Sequence, residues 1–96
     1  MITEIAIFTA VTDKEEELGA AILRGLDVIR RHPACIDARV ERCIEQPNQY
    51  AVINRWTSLE AHTQDFRGGP LFPEWRGHIT GLFVSQPTVF HYQAFK

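Results

Sequence analysis

Apolar and polar positions follow regular periods along most of this chain. Ile5-Ala6-Ile7-Phe8-Thr9-Ala10-Val11 is a run rich in β-branched and aromatic residues, and it predicts a first strand. Thr12-Asp13-Lys14-Glu15 follows, with the S/T-x-x-E form of a capping box. Leu18, Ile22, Leu26 and Ile29 then recur at helical steps, so a helix with one apolar face is expected. Arg30 and Arg31 suit its C-terminal end, where cations oppose the macrodipole, and His32-Pro33 stops it. Residues 34–45 alternate, with Ile36, Ala38, Val40 and Ile44 on one face and Asp37, Arg39 and Glu41 on the other. That is a second strand, and Gln46-Pro47-Asn48-Gln49 is the turn into a third over 50–56.

Thr57-Ser58-Leu59-Glu60 repeats the capping-box form, and a second helix follows it. Gly68-Gly69-Pro70 breaks that helix, and a further helical piece is expected over 72–83, with Pro73 in its first turn. Residues 89–95 close the chain as a fourth strand. The order β-α-β-β-α-β predicts one α+β domain over 1–96, a ferredoxin-like antiparallel sheet of four strands with both helices on one face.

The strands add a second expectation. Ile5, Ile7 and Val11 oppose Ala6, Phe8 and Ala10, while Tyr50, Val52 and Trp56 oppose Ala51 and Ile53. Neither strand has a polar face, yet two helices cover only one side of a sheet. A second copy of the chain is the simplest cover, so a homodimer is expected.

Composition narrows the function classes. The chain is 45% hydrophobic and 23% charged with net charge −2, ordinary for a globular domain. Its basic residues are dispersed, the densest group being Arg30-Arg31-His32, and this lacks the basic stripe of a nucleic-acid binder. No apolar run reaches membrane-spanning length, and the N-terminal segment lacks the pattern of a signal peptide, so a cytoplasmic location is expected. Cys35 and Cys43 would share a strand face about 26 Å apart, too far for an intrachain disulfide, and read as ordinary thiols. No pair of histidines has ligand spacing, and there is no phosphate loop or dinucleotide fingerprint. No metal and no cofactor are expected.

Candidate chemistry gathers in residues 62–79, HTQDFRGGPLFPEWRGHI. Leu59, His62 and Phe66 share a helix face by spacing, which points His62 toward the sheet. Phe72, Trp75, Ile79 and Leu82 make a second apolar stripe, flanked by Arg76 and His78. Two short helices joined at a corner leave a space that is mostly aromatic with a few polar groups, the make-up of a small-molecule pocket. His62 suits a ligand contact or a core histidine bonded to main chain. Arg67 suits a helix cap or an anion contact, and Trp56 and Trp75 suit core or wall. Asn54, on the inward face of its strand, needs a partner for its amide.

The series Trp56-Thr57-Ser58-Leu59-Glu60-Ala61-His62, Phe66-Arg67, Pro70, Phe72 and Trp75-Arg76, with Pro87 and Val89-Phe90-His91-Tyr92, resembles the antibiotic biosynthesis monooxygenase domain family over nearly the whole chain. The resemblance implies a dimeric α+β barrel, two ferredoxin-like sheets packed face to face. It also implies oxidation of a small aromatic, quinol-like or polyketide-like substrate by molecular oxygen, often without flavin or metal, because a deprotonated dihydroxyarene can itself reduce oxygen. On that reading His62 is the base or hydrogen-bond partner, Arg67 or Asn54 stabilises the anion, and Trp56, Phe66, Phe72, Trp75 and His78 bind the substrate. Val52 stands where some polyketide-oxidising members carry an asparagine, and the first strand lacks the asparagine of the haem-degrading members. The competing reading is a non-catalytic dimeric barrel that binds or sequesters a small hydrophobic metabolite.

Overall fold

Three inward apolar residues on each of two neighbouring strands, and one long apolar helix stripe, are enough to organise this chain. The computed structural model describes all 96 residues. In chain order the elements are β1 (Ile2–Ala10), α1 (Glu15–Arg30), β2 (Cys35–Arg42), β3 (Gln49–Trp56), a π-helical segment (Ala61–Phe66), α2 (Leu71–Ile79) and β4 (Phe83–Tyr92). The four strands form one antiparallel sheet in the order β2-β3-β1-β4, the ferredoxin-like arrangement expected from the sequence.

Period two sets which residues of β1 and β3 meet the helices. Ala6, Phe8 and Ala10 are buried on β1, and Tyr50, Val52 and Trp56 on β3. Register places Ala6 beside Val52 and Phe8 beside Tyr50, so these pairs form the floor. Leu18, Ile22, Leu26 and Ile29, the stripe read from the sequence, are fully buried against it. Gly25 lets α1 approach α2 closely: a methyl group there would lie 2.6 Å from the Trp75 ring. Arg31 and Glu74 pair across the same two helices. No helix is long and apolar enough to cross a membrane.

Local details differ from the expectation in four places. Helix α1 starts at Glu15 after Lys14, and no side chain caps it, so the Thr12–Glu15 box is not formed. At the second box the cap is Ser58, one residue later than the motif suggested, and its hydroxyl accepts the Ala61 N–H at 3.2 Å. The segment after it winds with i→i+5 bonds, such as Arg67 N–H to the His62 carbonyl at 3.2 Å, where an α-helix was expected. That wider turn keeps His62 and Phe66 buried but leaves Leu59 exposed.

The largest correction lies in residues 80–88. The final helix does not continue to 83: Gly81 takes φ +83° just after α2, a left-handed conformation that ends helices, and β4 begins at Phe83. In its pairing with β1 the register jumps from Ile7–Thr88 to Thr9–Val84, so β4 carries extra residues in a bulge. Ser85 lies there at φ +60°.

Candidate functional site

A cavity of about 380 Å³ lies between the helix-facing side of the sheet, the π-helical segment and α2. Phe8, Phe66, Phe72 and Trp75 supply aromatic wall, and Glu4, Asn54, His62, Arg67, Arg76 and Gln86 supply the polar groups. The rings lock one another in place edge to face, Phe66 on Phe72 at 5.8 Å and Phe8 on Trp75 at 6.2 Å between centroids. The β4 bulge brings Gln86 and Pro87 onto the wall.

The polar floor follows from register. Asn54 on β3 pairs with Glu4 on β1, and Glu4 pairs with His91 on β4, so three polar residues stand side by side in one row. The π-helical segment lowers His62 onto that row. Glu4, Asn54 and His62 are only 6%, 2% and 2% exposed, and such burial requires partners. Glu4 is the hub. Its Oε1 accepts from Asn54 Nδ2 at 3.0 Å and from the Trp56 indole Nε1 at 2.9 Å. Its Oε2 lies 3.4 Å from His62 Nε2. The other ring nitrogen, His62 Nδ1, is 2.8 Å from His91 Nε2. Neither ring nitrogen of His62 is thus spent on main chain, and the ring stacks on Trp56 at 5.2 Å and 26°.

Burial, with the charges of Arg67 and then His91 nearby, pushes the pKa of His62 down to about 3. The imidazole is neutral at ordinary pH, so one nitrogen donates and the other accepts. Nε2 faces a carboxyl oxygen and therefore carries the proton, and Nδ1 accepts from His91.

The structure gathers Asn54, His62, Phe66, Arg67, Phe72 and Trp75 around one space. Two of the expected substrate contacts stand elsewhere. Trp56 is fully buried behind His62 and holds Glu4, and His78 is exposed on α2, with its Cβ toward Gly25 of α1 and away from the cavity. Asn54 donates from its amide nitrogen to Glu4, and its carbonyl oxygen is buried without a hydrogen-bond partner. Glu4 and His91 were not among the expected site residues. Strand parity could have found both, because Glu4 falls in step with Ala6 and Phe8, and His91 with Val89. Cys35 and Cys43 are free, and burial, then Asp37 and Glu4, raise the Cys35 thiol to about 11, which keeps it protonated at neutral pH.

Known proteins share this fold. A curated *Bacillus subtilis* (strain 168) protein, the uncharacterised YczJ, is 28% identical over 97% of this chain and 98% of its own length. The crystal structure of a *Bordetella bronchiseptica* protein of the antibiotic biosynthesis monooxygenase type is also 28% identical, with TM-score 0.92 over 99% of this chain and 97% of that one. SnoaB, a cofactor-independent oxygenase from *Streptomyces nogalater*, shares the fold with TM-score 0.81 at 19% identity over 99% and 95% of the two chains. The sequence profile of the antibiotic biosynthesis monooxygenase family matches residues 1–77, and the chain belongs to that family.

Proposed function

We propose that this protein is a monooxygenase that oxidises a small flat aromatic, quinol-like or polyketide-like substrate with molecular oxygen, drawing the electrons from the substrate itself. The observation that carries the reading is a buried carboxyl, Glu4, held by Trp56, Asn54 and His62 at the floor of an aromatic cavity. Membership of the family supports it, as does the shared fold of a cofactor-independent oxygenase.

A ring that loses a proton becomes electron-rich enough to reduce oxygen. For an anthrone-like CH₂ the balance is one O₂ consumed, one oxygen atom left on carbon as a carbonyl and the other released as water with the two hydrogens. The protein then has to bind the ring, accept the first proton and exclude bulk water. Both nitrogens of His62 are engaged, so Glu4 is the proton acceptor and His62 the partner that orients it. Arg67 and Arg76 at the wall favour the anion. The face of the sheet away from the helices presents Ile5, Ile7, Ile53, Phe90 and Tyr92, with Phe90 and Tyr92 61% and 52% exposed. We include in the reading a homodimer that covers this face.

Oxygen uptake over a buffer blank, with a quinol and anthrone panel, tests the reading. Glu4→Gln keeps an acceptor for Trp56 and Asn54 but removes the base, and uptake should fall about 100-fold or more. His62→Ala should also slow it. No uptake with any compound would favour a barrel that binds a hydrophobic metabolite without turnover, and uptake untouched by Glu4→Gln would remove Glu4 as the base.

A further inference from the structure

Trp56 and Asn54 donate to Oε1 of Glu4, and His62 turns Nε2 toward Oε2, so the polar contacts of this buried carboxyl are all with donors. One of the three is reversible. The indole of Trp56 can only donate, but a neutral imidazole donates from whichever nitrogen carries its hydrogen and accepts at the other. His62 is 2% exposed, and its Nδ1 meets a single partner, His91 Nε2 at 2.8 Å. The ring is stacked on Trp56 at 5.2 Å and on Phe66 at 6.0 Å between centroids, which fixes its plane. The place of its one hydrogen is what remains to be set.

His91 reaches the cluster from outside the cavity. Register stands it beside Glu4 on the helix side of the sheet, yet it does not line the cavity and is only half-buried. Its own Nδ1 bonds to nothing in the chain and is not sealed from water. That nitrogen is free to accept from water or to carry a proton, so the Nε2 hydrogen is kept for His62 whether His91 is neutral or charged. The charge of Arg67 nearby disfavours a second hydrogen on the His62 ring.

We propose that His91 is a positioning residue: by donating from Nε2 to His62 Nδ1 it fixes the hydrogen of His62 on Nε2, which makes His62 a donor to Glu4 and leaves the carboxyl as the base of the cluster. The chain from His91 through His62 to Glu4 is polarised inward, and each bond strengthens the next. The inference rests on the reading of Glu4 as base and goes beyond it in assigning a residue that touches neither cavity nor substrate. The place of a hydrogen is measured without turnover, so the two can fail separately.

Nitrogen-15 NMR of histidine-labelled protein at neutral pH reads which ring nitrogens carry hydrogen. In the wild type His62 should be protonated at Nε2 and bare at Nδ1. His91→Gln keeps an N–H donor at this place and should preserve that pattern, whereas His91→Glu offers only acceptors and should draw a hydrogen onto Nδ1. Gln and Glu differ little in shape, so a purely steric role for His91 predicts the same spectrum for both. In oxygen uptake, His91→Glu and His91→Phe should lower kcat about tenfold or more, and His91→Gln should recover most of that loss. KM should change little throughout, because His91 does not line the cavity. A wild-type ring protonated at Nδ1, a bare Nδ1 in His91→Glu, or a His91→Gln protein as slow as His91→Phe overturns the proposal. The wild-type spectrum decides the first of these even where a variant fails to fold. Absence of oxygen uptake by the wild type, with the Gln and Glu spectra apart as expected, would remove the oxygenase reading and leave the role of His91 standing.

Discussion

Glu4 serves three neighbours with one carboxyl group, and its replacement shows what that is worth. In Glu4→Leu the Trp56 Nε1–H and Asn54 Nδ2–H stay buried without an acceptor. Stability should fall by about 2–5 kcal/mol in urea denaturation, and Glu4→Gln, which restores an acceptor, should cost less than half as much. His62 gives a second prediction, with a defined sign. Its pKa is about 3 in the folded chain against 6.5 for a free histidine, so above pH 6.5 neither state is protonated and its contribution to stability is complete. As pH falls from 6.5 toward 3 the unfolded chain takes up a proton that the folded chain refuses, and stability is lost at up to about 1.4 kcal/mol per pH unit. Between pH 7 and 5 the wild type should lose about 2 kcal/mol more than His62→Phe, which retains Glu4, His91 and Arg67 around the site. Equal losses by urea midpoint would contradict the buried neutral ring. The inward direction of His62 was legible from spacing alone, but its partners were not. Positions 4, 54 and 91 meet only through strand register, and 62 joins them through the placement of the π-helical segment, both of which a single chain's periodicity leaves open.

At the scale of elements, α1 and β3 were readable because each keeps one period over its length, whereas β2 stops at Arg42 and shifts register between Cys35 and Asp37, so Ile36 and Ile44 of its expected apolar face are exposed. The stretch from 59 to 66 was not, because α and π winding place His62 and Phe66 alike and differ at Leu59. Nor was the start of β4: residues 83–88 contain a bulge and a left-handed Ser85, so alternation is lost where the strand begins. The bulge nevertheless places Gln86 and Pro87 on the cavity wall. The opposite wall depends on the approach of α1 to α2 at Gly25. A methyl group in Gly25→Ala would meet the Trp75 ring at 2.6 Å and force one helix outward. The expected cost is about 1–3 kcal/mol in thermal or urea unfolding. Trp75 is a cavity residue, so its fluorescence should shift and affinity for an aromatic ligand should fall together with stability. A variant as stable as wild type with unshifted emission would show that the helices do not need this close approach.

For the whole molecule, the sheet divides two kinds of surface. The helix side holds the core and the cavity. The other side carries Ile53, Ile5 and Phe90 as neighbours in one row across β3, β1 and β4, with Ala51, Ile7 and Thr88 in the next. Arg39 and Glu41 on β2 close those rows at one end with an ion pair at 3.2 Å. An apolar centre with a charged margin is the pattern of a surface made for a partner, and the two-sided strands already implied it in the sequence. Light scattering on a sizing column should therefore give twice the 11.0 kDa chain mass. Phe90→Glu sets a charge in the middle of the apolar row, and a charge buried there without a partner opposes association, so this variant should elute as a monomer. The cavity lies on the opposite face of the sheet, and Phe90 does not line it. The monomeric variant should accordingly keep its affinity for an aromatic ligand if the fold holds alone. A wild-type monomer would contradict the dimer, and a Phe90→Glu dimer would move the interface away from this face.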